Sequence, residues 1–358
     1  MDLSIHSPAS ASPRSRAAAG SSPRGSPRPA APERAGPLTP RVWLPVVSDA
    51  PPSSASFTVA TWNILADGLT SEFSYANADA MAWARRGSQV LEEIIALDAD
   101  IFTVQELVQY ASFAELNRSH AFLFAPKLKS PALAGGGAGD GVALFVKRSR
   151  FELVDVGVHY FRAGAEWGAP LSNQNAIVAT LRDRASGRLL VAAATHLKAG
   201  AAPADEEARC SQATQLAGLV RAAKLAAEAA GGGAPVPVVM GGDFNAAPGE
   251  KPWRTLLSIM PGLRSAYNHL ARGEAALEAL GLEAYAAGEP RFTTWKFRGH
   301  DAPKEKKVTE DYLFFDAKAL RVVTLKALPT EEKCGAHGLP ADHFPSDHLP
   351  LAAQFEFL

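Results

Sequence analysis

Phe57-Thr58-Val59-Ala60-Thr61-Trp62-Asn63 is the stretch whose reading decides the fold: apolar and β-branched side chains run on to one polar residue at the end. A short run of this kind is a buried strand. Working outward, the form recurs at Ile101–Glu106, which ends in an acid, at Arg188–His196 and at Val236–Asp243. Gly141–Lys147, Phe151–Phe161, Ala176–Arg182, Asp311–Phe315, Leu320–Leu325 and Leu351–Phe357 read as further strands. Two helices interrupt them. Asp79–Leu97 carries Val90, Leu91, Ile94 and Ile95 at helical spacing, and the Ala-rich stretch Asp205–Ala229 is stopped by Gly231-Gly232-Gly233. Many strands with few helices predict an α/β chain built as a two-sheet sandwich flanked by helices, not a strictly alternating parallel fold.

The 358 residues, 47% of them hydrophobic, suffice for one large domain or two small ones. A formal charge of −1 argues against a protein that coats nucleic acid. Cys210 and Cys334 are far apart with no C-x-x-C partner, which excludes a disulfide framework and a thiolate zinc site. No apolar run nears the ~20 residues that span a bilayer, and no membrane-binding helix or cationic cluster is evident. Residues 1–52 are rich in Pro, Ser and Ala, with six arginines against Asp2, Glu33 and Asp49. They read as a disordered tail, a low-complexity leader or an organelle transit peptide, ahead of one catalytic domain over residues 53–358. Localisation is accordingly expected to be cytoplasmic, or mitochondrial or plastid if the tail is a transit peptide.

The chemistry-bearing residues sit at strand ends: Asn63, Glu106, His196, Asp243 with Asn245, and Asp311. Ser346-Asp347-His348 precedes the last strand. Each alone is an ordinary cap or turn residue. Together they are the inventory that phosphoester hydrolysis needs: a carboxylate for a hard cation, a base for water, and donors for phosphate.

Thr61-Trp62-Asn63-Ile64-Leu65, Val104-Gln105-Glu106, Thr195-His196-Leu197-Lys198, Gly242-Asp243-Phe244-Asn245, Asp311-Tyr312 and Ser346-Asp347-His348 stand in an order that resembles the endonuclease/exonuclease/phosphatase superfamily. The likeness covers nearly all of the chain after the tail. Thr293-Thr294-Trp295-Lys296 with Arg298, and Pro345–Leu349, resemble its nocturnin-like branch, which is related to the poly(A) deadenylases. The resemblance implies a four-layer sandwich of two packed, mostly antiparallel sheets flanked by helices. It also implies Mg2+, with Mn2+ as a substitute, and either removal of the 2′-phosphate of NADP(H) or 3′-to-5′ trimming of poly(A).

The resemblance implies roles residue by residue. Glu106 matches the metal-binding glutamate, with Asn63 near the metal. His348 matches the histidine that activates water or contacts the phosphate, held by Asp311. Asp243 and Asn245 match the pair that orients water and phosphoryl oxygens, His196 a phosphate-contacting histidine, and Asp347 a support for the metal. Lys127, Asn173, Gln174, Lys198, Trp295, Lys296 and Arg298 fall on the substrate side, Trp295 as a base-stacking surface. One departure is Gly200, where the branch carries an arginine after T-H-L-K-A; a phosphate-binding fork is missing there.

Other features read as scaffold. Lys304, Lys306 and Lys307, with His300, read as a solvated loop. The glycine-rich run from Gly135 to Gly139 lacks the Lys-Ser/Thr of a phosphate loop and reads as a mobile loop beside Lys127. Trp83, Trp167 and Trp253 read as packing residues. His337, His343 and His348 lie among prolines without thiolates, which argues against zinc. Three functions compete: dinucleotide 2′-phosphatase, poly(A) exoribonuclease, and an inactive fold kept as a binding module. A scaffold has no need of Glu106, Asp243, Asp311 and His348 together. The near-neutral charge favours a small nucleotide substrate over an RNA tracked along its backbone. No obligate protein partner is evident.

Overall fold

The computed structural model describes residues 41–46, 55–108, 113, 116–134, 139–164, 168–268, 288–298, 304–335 and 337–358. The opening stretch is β2 (Phe57–Asn63), buried along its whole length between neighbours. It pairs in parallel with β3 (Ile101–Leu107), through the helix Trp83–Leu97, and antiparallel with β15 (Leu351–Phe357). With β1 (Trp43–Pro45), β4 (His120–Pro126), β5 (Gly141–Lys147) and β14 (Leu320–Lys326) these make a seven-stranded sheet, ordered β1-β14-β15-β2-β3-β5-β4.

The second sheet has the same plan. β8 (Leu189–His196) and β9 (Val238–Asp243) lie parallel, linked by the helix Pro203–Ala230. β6 (Phe151–Arg162), β7 (Leu171–Asp183), β10 (Leu263–Ser265) and β13 (Asp311–Asp316) complete the order β10-β13-β9-β8-β7-β6. All other pairings are antiparallel, so this is an α/β fold of two mixed, mostly antiparallel sheets with flanking helices. The core between the sheets is Val59, Ile101, Leu144, Ile177, Ala192, Val239, Leu313 and Phe355, all within 2% of full burial. Outer cores lie under the two helices, Val90, Ile94 and Phe102 on one side and Val178, Leu216 and Val220 on the other.

One close approach lets the sheets meet at the site. A Cβ on Gly241 would come within 2.3 Å of Thr103 Oγ1 and 2.9 Å of Thr61 Cβ in the opposite sheet. Only a bare backbone on β9 lets β2 and β3 come that near.

Four departures from the sequence reading have physical causes. The expected helix Asp79–Leu97 breaks at Ala82, whose backbone is extended, into Ala78–Met81 and Trp83–Leu97. The helix Lys251–Ile259 and strands β4, β10 and β11 (Thr294–Arg298) were not expected. β12 (Lys304–Val308) replaces the expected solvated lysine loop; it pairs with β11, and Lys307 covers the Trp295 ring. The last departure concerns the tail. Trp43–Pro45 is an edge strand on β14, and Arg41 is buried against Glu93 while donating to Pro350 O at 3.0 Å. The rest of residues 1–52 lies outside the described residues.

Arg41→Ala tests that last point. It strands the nearly buried Glu93 carboxylate, an imbalance of about 2–3 kcal/mol. Melting is expected to fall by roughly 5 °C in thermal denaturation. An unchanged melting point would place residues 41–46 outside the fold's stability.

Candidate active site

Strand register builds the floor of the site. On the second sheet His196 is paired with Asp243, and Asp243 with Asp311, so three functional side chains stand in one row across β8, β9 and β13. On the first sheet Asn63 lies beside Gln105, one residue before Glu106. A bulge in the β3–β5 ladder falls between Val104 and Leu107, and Glu106 takes φ +58° there. Leu65 and Asn245 also take positive φ, 60° and 48°, just past the ends of β2 and β9. Left-handed backbone at non-glycine residues costs ~1–2 kcal/mol each, and at Glu106 it turns the side chain out of its ladder to meet Asn63.

Asn63 ties the sheets together. Its Nδ2 donates to Glu106 Oε1 and to Asp243 Oδ2, both at 3.0 Å, while its Oδ1 accepts from Leu65 N–H at 3.1 Å. The other Glu106 oxygen accepts from Ala66 N–H at 3.0 Å. Asn63 is therefore a donor bridge between two carboxylates, with its one oxygen already engaged.

His348 arrives on the loop before β15. Trp62 Nε1 donates to its carbonyl at 2.8 Å, and Ser346 Oγ donates to Asn63 O at 2.6 Å, pinning that loop on β2. His348 Nδ1 lies 2.8 Å from Asp311 Oδ2, which also accepts from Thr293 Oγ1 at 2.6 Å. Nε2 faces Asp347 Oδ2 at 3.5 Å and Asp243 Oδ2 at 3.8 Å. Lys296, expected on the substrate side, is instead buried in this cluster. Its ammonium pairs with Asp347 and lies 3.1 Å from His348 Nε2.

The electrostatics follow from that packing. Burial pulls the His348 imidazole down, but Asp311, Asp347 and Asp243 outweigh burial and Lys296 and raise it to about 9. Burial pushes the Asp311 carboxyl up to about 6, against the pull of His348. Burial also penalises Asp347, yet Lys296 and His348 hold it at about 2. Asp243 likewise stays below the usual carboxylate range despite burial, because His196 and His348 face it. Burial, then the Lys127 charge, push His196 down, so its ring is neutral, 3.5 Å from Asp243.

The donor set fits a cation. Asp243, Asp311 and His348 each offer a ligand atom, and these lie within 4.8 Å of one another. Asp311 Oδ1 is buried without a hydrogen-bond partner. Glu106, joined to Asp243 through Asn63, is the member of the group that is partly open to the cleft. An oxygen-rich, partly open carboxylate site suits a hard divalent ion that keeps some of its waters.

Above this floor opens a cleft of about 470 Å³. Glu106, Lys127, Asn173, Gln174, His196, Lys198 and Arg298 all line it. The remaining candidates, Asn63, Asp243, Asn245, Asp311, Asp347 and His348, are not among its lining residues; Asn63 and Asp243 connect to it through Glu106. Asn245 Nδ2 donates to Leu197 O at 3.1 Å, and its N–H to Asp243 Oδ1 at 2.9 Å. Trp295 departs from expectation: it is buried, packs on Phe292 at 5.6 Å, and donates from Nε1 to Glu305 at 2.7 Å. Its ring has no face open to a base.

Several site residues were missed by the sequence reading. Arg162 and Gln212 also line the cleft. Arg86 is fully buried and donates to Ile64 O, Leu65 O and Pro345 O, clamping the loops that carry Leu65 and Ser346. Nothing in a helical Arg-Arg pair marks one member for burial.

The glycine at 200 is also clarified. It takes φ +128°, and a Cβ would meet the Asp205 carboxylate at 2.1 Å, where Asp205 Oδ2 accepts from Ala202 N–H and caps the helix. Gly200→Arg is thus expected to lower melting and to leave affinity for phosphorylated substrate unimproved, as read by thermal denaturation and KM. A tighter KM with unchanged melting would contradict this geometry.

A model of the Endonuclease/Exonuclease/phosphatase family matches residues 60–348. Nocturnin of Xenopus laevis is 34% identical over 311 residues, covering 84% of this chain and 73% of that protein. Nocturnin of Homo sapiens is 33% identical over 88% of this chain and 69% of its own length. The structure of the human nocturnin catalytic domain with bound sulfate superposes with a TM-score of 0.66 at 29% identity, covering 89% of this chain and 97% of that one.

Proposed function

Because the chain belongs to the endonuclease/exonuclease/phosphatase family, as a nocturnin-like, metal-dependent phosphoesterase, we propose that its substrate is NADP(H) and the reaction removal of the 2′-phosphate. The observation that carries this is the lining of the cleft. Lys127, Lys198 and Arg298 gather at one cavity of about 470 Å³, a volume suited to a small ligand, and no Phe, Tyr or Trp is among its described lining residues. A protein that tracks single-stranded RNA relies on stacked aromatic platforms along a basic groove.

The chain's residues divide the work. Lys127, buried beside His196 and paired with Asp140, holds the phosphate close to the floor, while Lys198 and Arg298 act from the exposed rim. Neutral His196 donates or accepts a hydrogen bond without adding charge. Asp311 fixes the His348 Nδ1 proton, so the proton that exchanges is the one at Nε2, on the side of Asp243 and Asp347. Charged His348 then offers an N–H to the phosphoryl oxygens, and ionised Asp243 orients the attacking water. Glu106, with Asp243 beside it, would hold Mg2+, whose charge offsets that of the phosphoryl group.

The test compares phosphate released from NADP+ and NADPH with shortening of an oligo(A), each with Mg2+ and with EDTA. Mg2+-dependent phosphate release from the dinucleotides is expected. Efficient oligo(A) shortening with no phosphate released from either dinucleotide overturns the proposal.

A further inference from the structure

β6 is a strand of 12 residues at the free edge of the second sheet, and among the described residues it pairs with β7 alone. Natural edge strands are usually short, charged or covered. This one carries Val154, Val156 and Val158, which are 47%, 38% and 45% exposed. The face they occupy matters more than their number. Val156 stands opposite Ala179 and Val158 opposite Ile177, and both of those partners are fully buried in the core between the sheets. Directly paired residues share a face, so these two valines lie on the core side of the sheet and are still in water. The cause is that the opposite sheet ends at β4. At one end of the strand Tyr160 Oη donates to Pro126 O of β4 at 2.7 Å and closes the gap; at Val156 and Val158 the core side stays open.

The β6–β7 register shifts between Leu153 and Asp155 and again between Tyr160 and Arg162. The regular stretch between the two bulges, Asp155-Val156-Gly157-Val158-His159, has the same residue classes on either side of Gly157, with a carboxylate at one end and an imidazole at the other. Consider this strand paired antiparallel with itself about a two-fold axis through Gly157. Val156 of each copy then meets Val158 of the other on the core side. On the opposite face Asp155 of each copy meets His159 of the other, an acceptor against a ring N–H. Gly157 meets itself on the axis, where its missing side chain leaves room for the His159 ring folded over it: a Cβ on Gly157 would lie 2.2 Å from His159 Nε2. An axis through Val156 or Val158 keeps the faces but sets Asp155 against Gly157 or Phe161, and the match is lost.

We propose that this edge is an interface with a second copy of the chain, β6 pairing antiparallel with β6 about Gly157 and joining two six-stranded sheets into one. Such a contact is self-complementary and closed, so it stops at a dimer. Asp155 supplies its selectivity. A carboxylate on an edge disfavours a foreign or slipped strand, and only this register gives it a donor. The interface is separate from the catalytic cleft, whose lining includes Arg162 but no residue from Asp155 to Tyr160, and it does not rest on the NADP(H) reading.

The test is sedimentation equilibrium of the full chain from about 1 to 200 µM, where a dimer held by one strand pair is expected to dissociate. Wild type should show a monomer–dimer equilibrium. Val156→Lys combined with Val158→Lys changes two exposed side chains and should weaken association at least about tenfold. Melting of the dilute protein should be unchanged, and phosphate-ester turnover should stay within about twofold of wild type. Gly157→Cys, once oxidised, should form a disulfide-linked dimer that wild type, with Cys210 and Cys334 alone, does not form. A wild type that stays monomeric at every concentration overturns the proposal. So does a dimer that survives the double lysine variant, which would lie on another face, or a Gly157→Cys protein that dimerises without cross-linking.

Discussion

Glu106→Ala is expected to reduce Mg2+-dependent phosphate release below a tenth of wild type at saturating Mg2+. The bulge in β3 and the positive φ at Glu106 exist in a strand that would otherwise point this side chain elsewhere, and strained backbone is kept where a side chain must be aimed. Its carboxylate is the partly open member of the group around Asn63 and Asp243. Removing it leaves a hard cation without the oxygen ligand that faces the cleft. Stability should change little, because the two hydrogen bonds from Asn63 Nδ2 and Ala66 N–H are lost while repulsion with nearby Asp243 is relieved. The measurement is turnover across a Mg2+ titration together with a melting curve. Activity above a tenth of wild type with an intact fold would remove Glu106 from the metal site.

Asp311→Asn should cost turnover about as much, roughly 10²–10⁴-fold, the range seen when a carboxylate that orients a catalytic histidine is neutralised. The amide keeps the volume but takes away the charge that does most to raise His348. The sign of the pH effect follows. His348 has a folded pKa near 9 against an ordinary 6.5, so its charge contributes stability that is full below pH 6.5 and fades as pH rises toward 9. Metal-free wild type should therefore lose melting temperature between pH 6.5 and 9 beyond any loss in His348→Gln. In Asp311→Asn that decline should shift to lower pH, because the imidazole loses its largest favourable partner. Identical profiles for wild type and His348→Gln would mean the imidazole is not charged in the folded protein.

Much of the site was legible along the chain because its parts are strand ends. Asn63, Glu106, His196 and Asp243 each close an apolar run and Asp311 opens one, and a run of seven residues carries its own periodicity without help from distant segments. β5 and β15 begin and end where the pattern says they should. Short elements escaped for the converse reason. β1, β10 and β12 have three to five residues, too few for a period, and owe their extended shape to the strand each pairs with.

What the sequence by itself determined is the set of buried strands, the two long helices and the identity of the polar residues at the strand ends, since these depend on neighbours in the chain. Only the tertiary structure decided which of those residues meet. Register placed His196, Asp243 and Asp311 in one row, and the bare backbone of Gly241 let the other sheet bring Asn63 into hydrogen-bonding reach of Asp243. Tertiary packing also moved Lys296 from the expected substrate side into the His348 cluster, closed both faces of Trp295, and drew residues 41–46 out of the tail. The physical reason is common to all of these. Propensity and hydrophobic period act over a few residues, whereas register, sheet approach and charge proximity depend on side-chain volumes and pairings set by segments distant along the chain.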